Sequence, residues 1–194
     1  MKQTGLFFGS FNPVHTGHLL IANYMRSFQA LDEIWFVVTP QNPTKSPQAL
    51  AAATHRLAMT QLAVKPYPAF HVCDIEFLLP SPTYTIHTLD ALRECYPQRR
   101  FALLIGSDNW RQMPQWKDAD RLCAEYRILV YPRFGFDLPE RPARYPLLRF
   151  TDAPRIEISS TFIRQAVADG KDVACFTPAA VCEYMRSHKL YLPA

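Results

Sequence analysis

Two histidines three residues apart mark the part of this sequence best suited to chemistry. His15 and His18 end the segment GSFNPVHTGH, residues 9–18. If a helix begins within this segment, a spacing of three places both imidazoles near one point. Imidazole N–H groups can donate to a phosphate oxygen, and the N-terminus of a helix favours negative charge. Together with small residues and the Ser10 hydroxyl, this pattern predicts an anion site, most simply a phosphate site.

The flanking residues indicate how this segment is held. The apolar run LFF, residues 6–8, precedes it, and LLIANYM, residues 19–25, follows it. This order predicts a strand, a tight loop and a helix. The loop matches neither G-x-x-x-x-G-K-[ST] nor G-x-G-x-x-G. Two alternatives remain: a turn with two ordinary surface histidines, and a zinc site, for which a clustered third ligand is missing.

Apolar strand-like runs alternate with helical spacing along the rest of the chain. The predicted strands are 2–8, 34–38, 70–72, 101–105, 126–131 and 147–150, and the predicted helices are 16–29, 49–64, 83–96, 118–125, 159–168 and 178–188. This alternation predicts an α/β fold, a doubly wound, Rossmann-like parallel sheet with helices on both faces. We expect a single domain over residues 1–194, in which about 156–194 form a small C-terminal subdomain.

In such a sheet, ligands bind beyond the carboxyl ends of the strands. The polar segments 9–18, 39–47 and 106–108 all follow predicted strands. Asp108 in the last of them can accept a hydrogen bond from a ribose hydroxyl or bind magnesium. The alternative for this residue is that it caps a helix.

Composition restricts the class of protein. Of 194 residues, 48% are hydrophobic, the net charge is +4, and no apolar run is long enough to span a membrane. The densest basic cluster, Arg99-Arg100, is too short to indicate nucleic-acid binding. Five cysteines without a C-x-x-C pair and no signal peptide predict a cytoplasmic protein. The sequence leaves a homo-oligomer open.

Two long motifs resemble one enzyme superfamily. Residues 9–18 are similar to the G-[ST]-F-D-P-x-H-x-G-H signature of the nucleotidylyltransferases, with Asn12 in place of the aspartate. Residues 158–164, ISSTFIR, match the second signature, I-S-S-T-x-I-R, at each fixed position. The resemblance implies an enzyme that joins a nucleoside triphosphate to a phosphate acceptor and releases pyrophosphate.

The middle of the chain narrows the resemblance. The segments DEIWFV (32–37), SPTYTIHTL (81–89), IGSD (105–108) and PQW (114–116) resemble the bacterial nicotinate-mononucleotide adenylyltransferases, as does the C-terminal tail. This resemblance implies transfer of AMP from ATP to nicotinate mononucleotide in NAD biosynthesis. The alternatives are an acceptor such as nicotinamide mononucleotide or phosphopantetheine, or a non-catalytic nucleotide-binding protein of the same fold.

The resemblance also implies an ATP site. Its expected residues are Gly9, Ser10, His15, His18, Gly106, Asp108, Ser159, Ser160, Thr161 and Arg164. Of these, Ser10, His15, His18 and Arg164 are expected to be catalytic because they stabilise charge on the transferring α-phosphate and the leaving group. The alternative for residues 159–161 is an ordinary helix cap.

The expected acceptor site lies in the middle of the chain. The indole of Trp116 is the candidate to stack on a pyridine ring, and Thr85, with the backbone near Tyr84, to bind its carboxylate. Lys45, helped by Asn42, is expected to reach the acceptor phosphate. Packing in the core for Trp116 and a solvated loop for Lys45 are the alternatives. Mg²⁺ is expected to accompany ATP, bound mainly by phosphates and water rather than by an assigned set of protein ligands.

Overall fold

The computed structural model describes residues 1–40, 50–138 and 142–193. Its strands are β1 (Lys2–Gly9), β2 (Glu33–Val38), β3 (Phe70–Cys73), β4 (Arg99–Gly106), β5 (Arg127–Tyr131) and β6 (Leu148–Phe150). Its α-helices are α1 (Thr16–Phe28), α2 (Ala53–Val64), α3 (Thr85–Cys95), α4 (Ser107–Gln112), α5 (Ala119–Glu125), α6 (Ser160–Ala168) and α7 (Ala179–Ser187). Within the described ranges, none of these helices has the length and hydrophobicity to cross a membrane.

The six strands form one parallel sheet in the order β3-β2-β1-β4-β5-β6. The chain moves outward from β1 in one direction through β2 and β3, and then returns to the other side of β1 through β4. The strand order therefore reverses between β1 and β4. In doubly wound sheets, a crevice opens at this point beyond the carboxyl ends of the two strands.

Both faces of the sheet are covered by helices. Phe7, Phe36 and Leu104 point to one face, where they share a core with α1, α2, α6 and α7. The neighbouring strand residues point to the opposite face and pack with α3 and α5. This alternation confirms the predicted doubly wound sheet, because strands buried on both faces read as continuous apolar runs.

The predicted elements differ from the observed ones mainly at helix starts. The helix predicted over 49–64 begins only at Ala53, because Ala52 has extended backbone and the Ala51 N–H donates to Oδ1 of Asn12 at 3.0 Å. The short helix α4 was not predicted, because its sequence, SDNWRQ, is polar and shows no apolar spacing. The other boundaries lie within about two residues of the predicted ones.

The C-terminal segment shares the core of the sheet. Ile163 of α6 and Val181 of α7 are fully buried in the same cluster as Ala22 of α1 and Met59 of α2. The division of the chain into one domain with a C-terminal subdomain stays a prediction.

Glu33 at the start of β2 is a buried carboxylate with several partners. Only 1% of the residue is exposed, and its side chain accepts hydrogen bonds from Thr4 Oγ1 at 2.7 Å and Arg99 Nε at 2.9 Å. The Lys2 ammonium lies 2.7 Å from its other oxygen. Burial alone would raise the pKa of Glu33, but the hydrogen bonds from Lys2, Arg99 and Thr4 outweigh it and lower the pKa to about 2.

This cluster predicts a pH dependence of stability. Because the pKa is lowered on folding, Glu33 stabilises the fold fully above its unfolded pKa of 4.5, and this contribution is lost as the pH falls towards about 2. The contribution corresponds to about 3 kcal/mol at neutral pH. Urea titrations of wild type and Glu33→Gln should give a difference in unfolding free energy that shrinks between pH 5 and pH 2. Exposed Glu94→Gln is the control, and a pH-independent difference for Glu33→Gln would contradict the prediction.

Candidate active site

The two histidines lie at the start of α1. His15 is the N-cap residue, and its backbone N–H donates to Nδ1 of His18 at 3.1 Å. The two imidazoles are stacked with their centroids 3.7 Å apart, which confirms that they lie near one point. Because Nδ1 of His18 accepts a hydrogen bond, the proton of its neutral ring lies on Nε2. Nε2–H is therefore the donor that His18 offers to an anion.

His15 is buried and uncharged. Burial, and then the charge of Arg133, lower the pKa of His15 to about 3, so its ring is neutral at pH 7. Its Nδ1 is buried without a hydrogen-bond partner among the described residues. A Cβ at Gly17 would lie 3.0 Å from this atom, so the absence of a side chain lets the backbone approach the ring. His15 can act through a neutral N–H, while the positive charge beside it comes from Arg133.

Aromatic side chains fix the orientation of His18. The Phe11 ring meets the imidazole edge-on at a centroid distance of 5.1 Å, and Phe7 does so at 5.9 Å. Phe11 adopts a left-handed backbone conformation, with φ 44°. Phe7 and Phe11 are both buried in the core. The ring of His18 is consequently held against a rigid apolar wall, which limits its movement.

Helix α6 is hydrogen-bonded to residues 9–18, which we call the histidine loop. Ser160 Oγ donates to the carbonyl oxygen of Pro13 at 2.9 Å, and Arg164 Nη1 donates to that of Asn12 at 2.8 Å. Asn12 also accepts a hydrogen bond through Oδ1 from the Tyr191 hydroxyl, at 2.8 Å. The structure therefore brings together the two motifs that are about 140 residues apart in the sequence.

The remaining hydroxyls of this motif lie at the N-terminus of α6. Ser159 Oγ accepts from the backbone N–H of Phe162 at 3.1 Å, as an N-cap residue does. Thr161 is exposed, and its Oγ1 accepts from Arg164 Nη2 at 3.4 Å. The cap that was the alternative for this motif is present at Ser159. Phosphate binding by Ser159, Ser160, Thr161 and Arg164 stays a prediction.

The end of β4 contributes the carboxylate of Asp108. This carboxylate lies near Arg133, a residue that was not predicted from the sequence. Asp108 Oδ1 is buried without a hydrogen-bond partner in the described part of the chain, and Oδ2 lies 3.9 Å from Arg133 Nε. The N-cap of α4 is Gly106, so Asp108 is not its cap. A Cβ at Gly106 would clash with the Asp108 side chain, so a larger residue here would force this carboxylate to move. Arg133 thus places a positive charge near both His15 and Asp108.

A separate cavity of about 300 Å³ lies at the carboxyl ends of β1 and β4. It is lined by Gly9 of the histidine loop and by Tyr84, Thr85 and Trp116. The structure therefore brings three of the five predicted acceptor residues next to the histidine loop. Thr85 is the first residue of α3, and half-buried Trp116 follows a 3₁₀ turn over Met113–Gln115. The other two, Asn42 and Lys45, lie outside the described residues.

Glu76 also lines this cavity and was not predicted. It is 4% exposed and accepts hydrogen bonds from the hydroxyls of Thr88, at 2.8 Å, and Thr83, at 3.4 Å. Burial raises the pKa of Glu76, although these hydrogen bonds oppose the shift. Because Thr83 and Thr88 flank the start of α3, Glu76 holds this helix against the wall of the cavity.

Arg56 on α2 is a second buried group missed from the sequence. It is 1% exposed, and Nη1 donates to the carbonyl oxygens of Ser10 and Thr39, both at 2.7 Å. Its Nε donates to the Ala51 carbonyl at 3.0 Å, and Nη2 donates to that of Pro40. One guanidinium therefore joins the histidine loop, the end of β2 and the start of α2.

Metal ligands are sparse at the site. Across residues 1–40, 50–138 and 142–193, no group of three histidine, cysteine, aspartate or glutamate side chains is arranged to hold a metal. Asp108, with its unpartnered Oδ1, can supply a single ligand.

The sheet, the paired histidines and the joined α6 motif are the arrangement of a nucleotidyltransferase. The cytidylyltransferase-like family model matches residues 6–166, and the chain belongs to this family. This match confirms the predicted membership of the nucleotidylyltransferase superfamily.

Similarity to curated relatives identifies the narrower family to which the chain belongs. It is 51% identical to a "probable nicotinate-nucleotide adenylyltransferase" of Bacteroides fragilis over 92% of this chain and 89% of the relative. It is 48% identical to one of Bacteroides thetaiotaomicron, over 96% and 92%. A solved structure, Plasmodium falciparum nicotinic acid mononucleotide adenylyltransferase complexed with NaAD, shares its fold, with a TM-score of 0.80, 20% identity and 98% of each chain covered. The chain belongs to the nicotinate-nucleotide adenylyltransferase family.

Proposed function

We propose that this chain transfers AMP from ATP to nicotinate mononucleotide, giving deamido-NAD and pyrophosphate in NAD biosynthesis. One structural observation, together with the family to which the chain belongs, supports this proposal. Phe7 and Tyr131 line both the pocket at His15 and His18 and the cavity at Thr85 and Trp116, which we call the acceptor cavity. The two are therefore adjacent. A triphosphate held at the histidines therefore has its α-phosphorus next to the place where a pyridine mononucleotide fits.

The reaction needs no covalent intermediate with the protein. An oxygen of the acceptor 5′-phosphate forms a bond to the α-phosphorus, while the bond from that phosphorus to the bridging oxygen of the β-phosphate breaks. Pyrophosphate leaves with the electron pair of that bond. The barrier comes from bringing two anions together and from charge on the transferring group, so positioning and electrostatics dominate catalysis.

The predicted residues that the structure describes have the following roles in the proposed step. The N–H groups of His15 and His18 donate to the α-phosphate oxygens, and His18 does so through Nε2. Gly9 and Ser10 hold the α-phosphate, while the N-terminus of α6 and Arg164 hold the β- and γ-phosphates. Gly106 and Asp108 lie at the nucleoside. Trp116 stacks on the pyridine ring, and Thr85, with the backbone near Tyr84, binds the carboxylate of that ring. Donors placed in advance stabilise the transition state without reorganising.

Mg²⁺ enters, in this proposal, with ATP. Magnesium keeps several waters and binds phosphate oxygens readily, which suits a site that offers few carboxylates. In this proposal Asp108 supplies one ligand, because its Oδ1 is buried without a hydrogen-bond partner among the described residues. When bound, the ion neutralises charge on the leaving pyrophosphate.

We also propose that the protein functions in the cytoplasm. All five cysteines are unpaired, and Cys73 and Cys123 are buried. Burial raises the pKa of both thiols to about 11. Unpaired thiols of this kind suit a reducing compartment.

The proposal is tested by pyrophosphate release from magnesium-ATP with each acceptor in turn. We expect turnover with nicotinate mononucleotide and background release without acceptor. Turnover with phosphopantetheine alone would identify the alternative acceptor. ATP binding without turnover of any acceptor would support a non-catalytic nucleotide-binding protein. Absence of turnover with both pyridine mononucleotides would refute the proposed function.

A further inference from the structure

Two charged side chains of opposite sign line the described part of the acceptor cavity, Glu76 and Lys117. Glu76 is buried in the wall, and its carboxylate accepts hydrogen bonds from threonine hydroxyls. Lys117 is exposed, and its Nζ lies 4.9 Å from the centroid of the Tyr84 ring. The ion pairs formed between described residues do not include Lys117. Among the described residues that line the cavity, its ammonium is thus the positive charge available to a ligand.

The position of Lys117 relates this charge to the proposed pyridine site. Lys117 directly follows Trp116, the residue placed to stack on the ring, and both line the cavity. Tyr84, beneath the ammonium, is the N-cap of α3 and directly precedes Thr85. The ammonium is therefore held by a cation–π contact beside the residues that are placed to bind the substituent on the pyridine ring.

We propose that Lys117 sets the preference of this site for a pyridine mononucleotide that carries a carboxylate over one that carries a carboxamide. The inference rests on the proposed function and names the residue that decides between its two pyridine acceptors.

Charge, rather than shape, must carry this discrimination. A carboxylate and a carboxamide are nearly equal in size, and contacts of shape alone separate such isosteres weakly. An ammonium attracts the carboxylate and gains little from the neutral amide, and this attraction is stronger in a partly enclosed cavity than in bulk water. The carboxylate of Glu76 repels a second carboxylate, so it favours a pose in which the substituent faces Lys117.

The test compares both acceptors in Lys117→Met and Lys117→Arg. Methionine keeps a long, unbranched apolar side chain but lacks the ammonium, whereas arginine retains the charge. Lys65→Met at the end of α2 is the control, because it lowers the net charge equally at an exposed position outside the cavity. The measured quantities are kcat/KM and the equilibrium dissociation constant for nicotinate and nicotinamide mononucleotides.

For Lys117→Met we expect kcat/KM and affinity for the nicotinate nucleotide to fall about tenfold, the size of one charge-assisted contact. The nicotinamide values should change less than about twofold by the same argument, since a neutral amide loses no ion pair. Lys117→Arg and Lys65→Met should keep the wild-type ratio of kcat/KM for the nicotinate nucleotide to kcat/KM for the nicotinamide nucleotide. Raising the salt concentration should lower this ratio for the wild type but not for Lys117→Met.

An unchanged ratio in Lys117→Met, or an equal loss with both nucleotides, would overturn the inference. An equal loss would assign Lys117 to holding Trp116 or Tyr84. Failure of the proposed function looks different, because the wild-type protein would then turn over neither pyridine nucleotide. In that case the inference fails with it.

Discussion

His18→Ala is expected to lower kcat about 100-fold or more while ATP binding changes less than about threefold, the pattern seen when a single transition-state donor is lost. The reason lies in its hydrogen bond. The His15 N–H fixes Nδ1 of His18, so Nε2 carries the proton that, in the proposed reaction, is donated to the transferring phosphate. This donation gains strength as negative charge develops in the transition state. A loss of this size corresponds to about 2.7 kcal/mol or more of transition-state stabilisation.

The measurement combines steady-state kinetics of pyrophosphate release with calorimetric binding of magnesium-ATP. His18→Asn retains an N–H donor and should recover part of the lost kcat. His188→Ala changes an exposed histidine at the C-terminal end of α7 and should behave like wild type. Normal turnover by His18→Ala would exclude His18 from catalysis, and a matching loss of ATP affinity would assign it to ground-state binding.

Arg56→Met is expected to reduce the free energy of unfolding by about 3 kcal/mol or more. The substitution fills a similar volume but leaves the buried carbonyl oxygens of Ser10 and Thr39 without their donor. Each unsatisfied buried acceptor costs about 1 to 3 kcal/mol. Urea titration of both proteins measures the difference directly.

Two variants make this result specific. Arg56→Lys keeps a charged donor and should lose less stability than Arg56→Met. Arg26→Met removes an exposed arginine that donates at 3.4 Å to the carbonyl oxygen of Asp32, and should cost about 0.5 kcal/mol or less. If Arg56→Met cost less than about 1 kcal/mol, the carbonyl oxygens would have to be satisfied by other groups.

The fold could be predicted because its signal is local. Strands such as β2 are apolar throughout, and their alternation with helical spacing specifies a parallel sheet covered on both faces. The strand order, which places β1 at the centre, depends on contacts between residues far apart and has no local signal. Helix α4 was missed for a related reason, because its residues are fixed by the end of β4 rather than by an apolar face.

The predicted site residues lie in contiguous motifs, whereas the missed ones act through tertiary contacts. Arg133 follows β5, yet only the folded chain shows that it lies near His15 and Asp108. Arg56 offered one signal. It occupies the same helical face as Met59 and Ala63, where a buried apolar residue is expected. A charged residue at such a position indicates a buried polar network.

The joining of the histidine loop to the C-terminal part of the chain has a consequence for the order of synthesis. Asn12 receives hydrogen bonds from Arg164 and Tyr191, which follow it by 152 and 179 residues. At roughly 5–20 residues per second, translation separates the emergence of these groups by roughly 10–40 seconds. The nascent chain therefore carries His15 and His18 long before it can form these hydrogen bonds to their loop. A translation product interrupted before residue 191 would lack the hydrogen bond from Tyr191 to this loop.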